Sequence, residues 1–221
     1  MKLLLENWRQ YINELEEEVI DTLRIFDFDE TIAHTRSETR VKAPDGSEAT
    51  LANQQEFEDY MSQAAANEGI TDFDPISALR EKGYQIDLSD FSIVKDPDEI
   101  TVITDELKQF PEYSKTYVMT ARRGNSLGPI LAYLDEIGVD SSKVRPIATG
   151  GESKGSVIAN MIAQKKLPDG TSNIKRIEYY EDSDKNIQDV MNHVCPEKLA
   201  ELTIYKVVKT ENGYILQHIG C

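Results

Sequence analysis

The sequence predicts a mixed α/β fold with a central, mainly parallel β-sheet between two layers of helices. Four short apolar runs have the length and composition of buried strands, at residues 23–26, 116–120, 144–148 and 176–180. Segments that follow the last three runs carry apolar residues three and four positions apart, which is the spacing of amphipathic helices. Strands that alternate with helices are typical of βαβ units, whose parallel sheet is covered on both faces.

One helix is predicted after each of the last three strands. Their apolar stripes are formed by Ile130, Leu131, Leu134 and Ile137, by Val157, Ile158, Met161 and Ile162, and by Ile187, Val190, Met191 and Val194. A further amphipathic helix with an acidic far side is predicted at the N-terminus, over residues 1–20. This helix either packs on its own domain or docks a protein partner through residues 3–19.

Residues 35–100 break the alternation of strands and helices, and we interpret them as an insertion, or cap, after the first strand. A β-hairpin is expected around the Pro-Asp-Gly sequence at 44–46, because these three residue types favour a tight turn. The apolar spacing around residues 57–61 predicts a helix. The tract 71–90 is rich in Asp and single aromatic residues, and we interpret it as loops with one short strand.

A second hairpin is predicted at the C-terminus. The Asn212-Gly213 step is a strong signal for a tight hairpin turn, with strands expected over residues 202–208 and 214–219. The length of 221 residues is that of one domain carrying an insertion. We therefore expect the N-terminal helix to be followed by a single domain over residues 21–221.

The composition excludes some classes of function. The chain has 24 Lys and Arg residues against 40 Asp and Glu residues, a formal net charge of −16. A protein that coats DNA or RNA needs a cationic surface, whereas an enzyme that acts on one phosphate group does not. No apolar run approaches the roughly 18 residues of a membrane span, and no signal peptide is recognisable. With only two cysteines, Cys195 and Cys221, we expect reduced thiols and a cytoplasmic protein without a membrane partner.

Two carboxylates follow the first predicted strand, at Asp27 and Asp29. Residues two apart in extended chain point to the same side, so both side chains would project beyond the same edge of the sheet. One such carboxylate can act as a nucleophile or metal ligand, and the other as a general acid and base. The alternative is an acidic turn at a strand end, without chemistry.

Two further strand ends carry groups that can bind phosphate. Thr120 closes the second strand and is followed by Arg122 and Arg123, so a hydroxyl, backbone N–H groups and two cations lie together. Lys154 precedes an apolar helix and could hold carboxylates and phosphate together. The alternatives are a helix cap at Thr120 and a solvated lysine at Lys154.

The fourth strand end is again acidic. Glu181 and Asp182 follow the strand at 176–180, and their oxygens suit Mg²⁺, which takes one or two carboxylates and fills its shell with water and phosphate. The alternative is that Ser183 or Asp184 merely caps the next helix.

Together these four strand ends resemble the motifs of the haloacid dehalogenase-like (HAD) phosphatase superfamily, across residues 23–194 outside the insertion. The resemblance implies a Rossmannoid three-layer sandwich. It also implies that Asp27 is the nucleophile that forms an aspartyl-phosphate, and that Asp29 is the acid and base. Thr120 matches the hydroxyl that binds the transferred phosphoryl group, and Lys154 matches the lysine that neutralises nucleophile and phosphate.

The metal site implied by this resemblance consists of Asp182, the Asp27 carboxylate and the Asp29 carbonyl. Many family members have Gly-Asp followed four residues later by a second Asp. Here Glu181-Asp182 is followed by Asn186 at that place. This departure leaves the role of Glu181 open and favours Asp182 as the metal ligand.

The resemblance implies a Mg²⁺-dependent phosphomonoester hydrolase that acts on a small phosphorylated substrate. The first alternative is a polynucleotide 3′-phosphatase or nucleotidase, because the motifs are similar to those of small viral and bacterial HAD proteins related to polynucleotide-repair phosphatases. Its substrate would be a nucleotide or a nucleic-acid 3′ end. The second alternative, of another class, is a HAD-fold binding or scaffold protein without turnover.

Several basic residues outside the motifs remain as weaker candidates. Arg122 and Arg123 could form a cationic mouth around the substrate. His34, Arg36 and Arg40 could contact a phosphate from the insertion, or be solvated surface. His193 and His218 are surrounded by apolar residues in the sequence, and we expect them to be packed rather than catalytic.

Overall fold

The structure is a computed structural model that describes residues 20–52, 54–71, 75–164, 174–196 and 200–220. The helix predicted over residues 1–20 falls outside this range except for its last residue, and the proposed contact surface at residues 3–19 lies wholly outside it. The chain divides into two compact units. The first comprises Met1–His34 and Asp98–Cys221, and the second is Thr35–Pro97.

The described residues form eleven strands and six α-helices. The strands are β1 (Thr22–Asp27), β2 (Ala33–His34), β3 (Thr39–Lys42), β4 (Glu48–Leu51), β5 (Gln85–Asp87), β6 (Asp98–Glu99), β7 (Ser114–Thr120), β8 (Val144–Ala148), β9 (Arg176–Glu181), β10 (Glu201–Thr210) and β11 (Gly213–Gly220). The helices are α1 (Gln54–Asn67), α2 (Pro75–Glu81), α3 (Thr101–Leu107), α4 (Leu127–Glu136), α5 (Lys154–Gln164) and α6 (Asp184–Val194).

The first unit is built on a six-stranded sheet with the order β11-β10-β9-β1-β7-β8. All neighbouring strands are parallel except β10 and β11, which form the C-terminal hairpin predicted at Asn212-Gly213. The four predicted core strands are therefore confirmed as β1, β7, β8 and β9. Strand β1 is buried along its whole length, as expected for a strand with parallel neighbours on both sides and helices over both faces.

One face of the sheet packs against α5 and α6, the helices predicted after β8 and β9. Alternate residues of the strands and the apolar stripes of the two helices form one core cluster there. Its fully buried members include Ile25, Tyr179, Ile158, Val190 and Ile204.

The opposite face of the sheet is held to α3 by a buried arginine. Arg24 of β1 donates from Nε to Glu178 of β9 at 2.8 Å, and it donates to the backbone oxygens of Glu106 and Gln109 at 3.1 and 2.6 Å. These oxygens lie at the C-terminal end of α3, where helix carbonyls lack partners of their own. The central sheet is therefore flanked by helices on both faces, as the sequence predicts.

The second unit, Thr35–Pro97, is a three-stranded antiparallel sheet with two helices. The strand order is β4-β3-β5, and the β3–β4 hairpin turns at the predicted Pro-Asp-Gly sequence. Helix α1 contains the predicted helical segment. The core of this unit is formed by Val41, Leu51, Met61, Ala64 and Leu79.

Two expectations differ from the structure. The tract 71–90 contains helix α2 as well as the expected short strand. The helix begins at Pro75, and proline is favoured at the first position of a helix. Leu79 of this helix is buried in the core of the unit. Cys195 is disulfide-bonded, so the expectation of a reduced thiol is wrong for this residue. The sequence does not show which thiols the fold brings together. Cys221 lies outside the described residues. None of the described helices is long and apolar enough to cross a membrane.

Candidate active site

The chemical groups predicted at the strand ends lie along one edge of the central sheet. Asp27 is the last residue of β1, the strand between β7 and β9. Phe26 pairs with Tyr180 and Asp27 pairs with Met119, so Glu181 and Thr120 each end a neighbouring strand one residue further on. Because parallel strands end at the same edge, this is where a ligand crevice is expected in an open α/β sheet.

Lys154 brings an ammonium group into this edge from the start of α5. Its Nζ donates to Asp27 Oδ1 at 2.5 Å and to Glu181 Oε2 at 2.7 Å. The side chains of Lys154, Asp27 and Glu181 are 4, 7 and 0 % exposed. The solvated alternative for Lys154 is therefore wrong, and the lysine contacts the residue that the sequence singles out as a nucleophile.

Glu181 is held by four hydrogen-bond donors, of which Lys154 is one. Besides Lys154, the Tyr179 hydroxyl donates to its Oε2 at 2.5 Å. The backbone N–H of Ser183 and the side-chain amide of Asn186 each donate to its Oε1 at 3.2 Å. Both oxygens of Glu181 are therefore engaged by protein groups, which fixes the carboxylate in place.

The charges at this edge are not balanced by Lys154 alone. Burial, and next the charge of Glu181, raise the pKa of Asp27 well above its ordinary value, although Lys154 acts in the opposite direction. Burial and the charge of Glu181 also raise the pKa of Asp182 to about 7. For Glu181, burial acts to raise the pKa, but Lys154 and the hydrogen bonds from Tyr179 and Ser183 together outweigh it, and the pKa is lowered. Three carboxylates thus compete for one ammonium, and a further cation would relieve the repulsion.

The same three carboxylates form a candidate metal site. Asp27, Glu181 and Asp182 each offer an oxygen, and these oxygens lie within 4.8 Å of one another. Asp182 accepts a hydrogen bond from the Thr31 hydroxyl at 3.2 Å. An all-oxygen donor set of this kind suits Mg²⁺. Because both oxygens of Glu181 already accept hydrogen bonds, Asp27 and Asp182 are the better donors within the cluster.

Asp29 lies apart from the cluster and pairs with Arg122. Arg122 donates from Nε to Asp29 Oδ2 at 2.9 Å and from its terminal nitrogen to Oδ1 at 2.6 Å, a two-point pairing that fixes the plane of the carboxylate. The guanidinium also lies 5.4 Å from the centroid of the Phe28 ring. The Arg122 side chain is 1 % exposed and that of Asp29 is 32 % exposed. Arg122, expected to bind substrate, therefore holds Asp29, and the accessible group of the pair is the carboxylate.

The two remaining predicted groups on this side differ in their exposure. Thr120 is fully buried at the end of β7, and its hydroxyl oxygen accepts a hydrogen bond from the backbone N–H of Arg122 at 3.1 Å. This local bond is not the helix cap considered from the sequence, because the next helical turn begins at Gly124, with Arg123 before it, and has no side-chain cap. The bond holds the hydroxyl at the strand end. Arg123 is exposed.

The weaker basic candidates have other partners or lie elsewhere. His34 contacts Glu30 at 2.6 Å, and Arg36 donates to the backbone oxygen of Asp96 at 3.0 Å. Arg40 is exposed. His193 and His218 are also exposed, so the expectation that they are packed is wrong. His193 lies on the outward side of α6, whose buried residues are Ile187, Val190 and Val194. His218 lies on β11, a strand along which no residue is buried.

Sequence reasoning missed several residues that support the site. Tyr179 reads as one more apolar strand residue, and Thr31 reads as the polar end of the first motif. The bond of Asn186 to Glu181 follows from its position one helical turn after Asp182, but the sequence does not reveal which group it contacts. Ser183 caps α6 as considered, since its hydroxyl accepts from the Asn186 N–H at 3.4 Å.

Comparison with known proteins shows only distant structural similarity. No protein-family model and no curated protein matches the chain. Two solved structures of the Legionella pneumophila effector Ceg4 are similar, one with an N-terminal TEV protease cleavage sequence and one with an N-terminal yeast Hog1p sequence. The first is 13 % identical with a TM-score of 0.42 and covers 85 % of this chain and 86 % of its own. The second is 11 % identical with a TM-score of 0.41 and covers 85 % of this chain and 87 % of its own.

Proposed function

We propose that this protein is a Mg²⁺-dependent phosphomonoester hydrolase that works through an aspartyl-phosphate on Asp27. The observation that carries the proposal is the contact of the buried Lys154 ammonium with Asp27, beside Asp182 and Glu181. Burying a carboxylate without a charged partner costs free energy of folding. A buried carboxylate that is held against a lysine and a candidate metal site is suited to phosphoryl transfer. The resemblance of the strand-end motifs to HAD phosphatases supports the same reaction.

In the first step, a carboxylate oxygen of Asp27 attacks the phosphorus of the substrate. A bond forms between Asp27 and phosphorus, the bond from phosphorus to the ester oxygen breaks, and the leaving oxygen takes a proton from Asp29. In the second step, water attacks the phosphorus, gives a proton to Asp29 and releases phosphate from Asp27. Lys154 stays beside Asp27 in both steps and stabilises the negative charge of the transferring group.

Mg²⁺ would be held by Asp27 and Asp182, and it would supply charge stabilisation for the phosphoryl oxygens when bound. Glu181 acts differently in this proposal. Its oxygens are occupied by Lys154, Tyr179 and the start of α6, so it fixes the direction of the Lys154 ammonium rather than binding the metal.

Arg122 orients Asp29 for its proton transfers. The two-point pairing holds the Asp29 carboxylate in one orientation. The partial exposure of the Asp29 side chain leaves it accessible to a leaving group or to water.

The test is turnover of a generic aryl phosphate with and without Mg²⁺, comparing the wild type with Asp27→Asn. We expect Mg²⁺-dependent release of phosphate by the wild type and a loss of at least about a thousandfold in kcat for Asp27→Asn, because the nucleophile is removed. Asp105→Asn is the matched control, since Asp105 is an exposed residue of α3. Full activity of Asp27→Asn would exclude the aspartyl-phosphate.

The same assay separates the alternatives raised by the sequence. Faster turnover of a 3′-phosphorylated oligonucleotide or of a nucleotide than of other small phosphates would indicate the polynucleotide 3′-phosphatase or nucleotidase. The absence of hydrolysis across a broad panel of phosphate esters would favour a binding or scaffold protein.

A further inference from the structure

The first turn of α5, which carries Lys154, is attached to α6 by one carboxylate. Asp189 of α6 accepts a hydrogen bond from the backbone N–H of Gly155 at 2.9 Å. It also accepts from the hydroxyl of Ser153, which lies 3.0 Å from one carboxylate oxygen and 2.9 Å from the other. Lys154 is the residue between Ser153 and Gly155, so both of its chain neighbours are bonded to Asp189.

The two helices approach each other closely at the same point. A Cβ atom on Gly155 would lie 2.5 Å from the backbone oxygen of Asp189 and 2.7 Å from Nδ1 of His193. Real Cβ atoms do not approach other atoms so closely, so only glycine allows this contact. The close approach and the bonds to Asp189 together determine where the first turn of α5 lies relative to α6.

Capping alone does not account for Asp189. Ser153 already caps α5, because its hydroxyl oxygen accepts from the backbone N–H of Ser156 at 3.0 Å. The bonds to Asp189 therefore do more than satisfy the helix terminus. They connect it to another helix.

Helix α6 also holds the acidic partner of Lys154. Asn186 donates to Glu181 at 3.2 Å, one helical turn before Asp189. Consecutive turns of α6 thus fix Glu181 and the backbone on either side of Lys154. These groups determine the position of the Lys154 ammonium, which lies between Asp27 and Glu181.

We propose that Asp189 is a positioning residue that holds the backbone of Lys154 so that its ammonium contacts Asp27 and Glu181. This inference rests on the proposed function for its effect on catalysis, but the position of the ammonium can be measured without it. Asp189 itself does not touch the reacting atoms. It acts through Ser153 and Gly155.

The experiment compares Asp189→Ala, Asp189→Asn and the control Val190→Ala. Asn keeps one acceptor oxygen for the first turn of α5. Val190 is a fully buried neighbour whose truncation lowers stability but removes neither the Ser153 bond nor the Gly155 bond to Asp189. Two quantities are measured: the kinetic constants with an aryl phosphate, and the labelling rate of Lys154 by an amine-reactive reagent, followed by mass spectrometry.

We expect Asp189→Ala to lower kcat by about a hundredfold, because small displacements of a reacting group have effects of this size. KM should change little. Lys154 should label faster in Asp189→Ala, because its side chain is 4 % exposed in the wild type and its ammonium becomes accessible to the reagent when it leaves its two carboxylates. Asp189→Asn and Val190→Ala should remain near the wild type in both measurements.

Equal labelling of Lys154 in Asp189→Ala, Val190→Ala and the wild type would overturn the inference, whatever the kinetic result. A wild type that hydrolyses no phosphate ester would overturn the proposed function instead. In that case faster labelling in Asp189→Ala alone would still support the positioning of Lys154 by Asp189, because the labelling rate does not depend on turnover.

Discussion

Lys154 lies among buried carboxylates, and the balance of charge there depends on its ammonium. Its Nζ bonds to both Asp27 and Glu181. Burial acts to lower its pKa, but the charges of these two carboxylates outweigh burial and raise it. A lysine in this position carries its charge permanently, which suits a group that stabilises a transferring phosphoryl group.

Replacement of this lysine should destabilise the fold as well as abolish turnover. We expect Lys154→Met to lower the free energy of unfolding by about 3–5 kcal/mol in metal-free buffer, because it leaves two buried carboxylates without their partner. Urea denaturation measures the change. Lys143→Met is the control, because Lys143 is more than half exposed and pairs with the exposed Asp140. Similar losses of unfolding free energy in the two variants would mean that the buried contact of Lys154 stabilises the fold no more than an exposed ion pair does.

The residues of the site were predictable to different degrees. Asp27, Thr120, Lys154 and Asp182 were identified from their positions at strand ends, and the structure brings them to one edge of the sheet. The pairing of Asp29 with Arg122 was not foreseen, because the two residues are 93 positions apart and their contact depends on the neighbouring places of β1 and β7.

At the level of elements, α6 supports the site at two of its turns. Its start is fixed by Ser183, whose hydroxyl accepts from the Asn186 N–H, and by Lys206 of β10, which donates to Asp184 at 2.5 Å. Its first turn contacts Glu181 through Asn186, and its second turn contacts the start of α5 through Asp189. Shifts of α6 would therefore be transmitted to Glu181 and to the backbone that carries Lys154.

Removal of the cap on α6 tests this dependence. We expect Ser183→Ala to lower the free energy of unfolding by about 1 kcal/mol, since the N–H of Asn186 loses its acceptor. Chemical denaturation measures the loss, and hydrogen exchange should show faster exchange at the first amides of α6. Ser183→Asp keeps an acceptor oxygen and should retain most of the stability. The cap has no role if the Ala and Asp variants unfold at the same denaturant concentration.

The elements themselves were predictable where their apolar spacing is regular. The four core strands are short apolar runs, the helices α4, α5 and α6 have apolar residues three and four positions apart, and both hairpins have strong turn sequences. Helix α2 was missed because its short apolar stripe, at Ile76 and Leu79, is embedded in an acidic tract. Only the core of the second unit shows that Leu79 is buried.

At the level of the whole molecule, the second unit is inserted between β2 and β6, two short strands of the first unit that lie next to each other. His34 of β2 pairs with Asp98 of β6, and Ala33 pairs with Glu99, in an antiparallel ladder. The first unit contains its own central sheet and core cluster. Its folding therefore does not require residues 35–97 to connect the two ends.

Excision of the insertion tests this independence. We expect a chain in which Asn-Gly replaces residues 35–97 to fold and unfold cooperatively, because a two-residue turn can close an antiparallel pair such as His34 and Asp98. Circular dichroism during thermal denaturation measures cooperativity. An Asn-Gly inserted at the tip of the β10–β11 hairpin, with the second unit intact, controls for the added turn residues. A gradual transition without a folded baseline would contradict the expectation.

The sequence by itself determined the class of fold, the order of the main elements and the residues that end each core strand, because these follow from local periodicity and from the common edge of parallel strands. Only the tertiary structure decided the contacts among those residues. Lys154 and Asp27 are 127 positions apart, and their contact depends on how closely α5 and α6 approach at Gly155. It also decided that Glu181 holds the lysine and that Arg122 holds Asp29, since the direction of a side chain depends on the packing of distant elements around it.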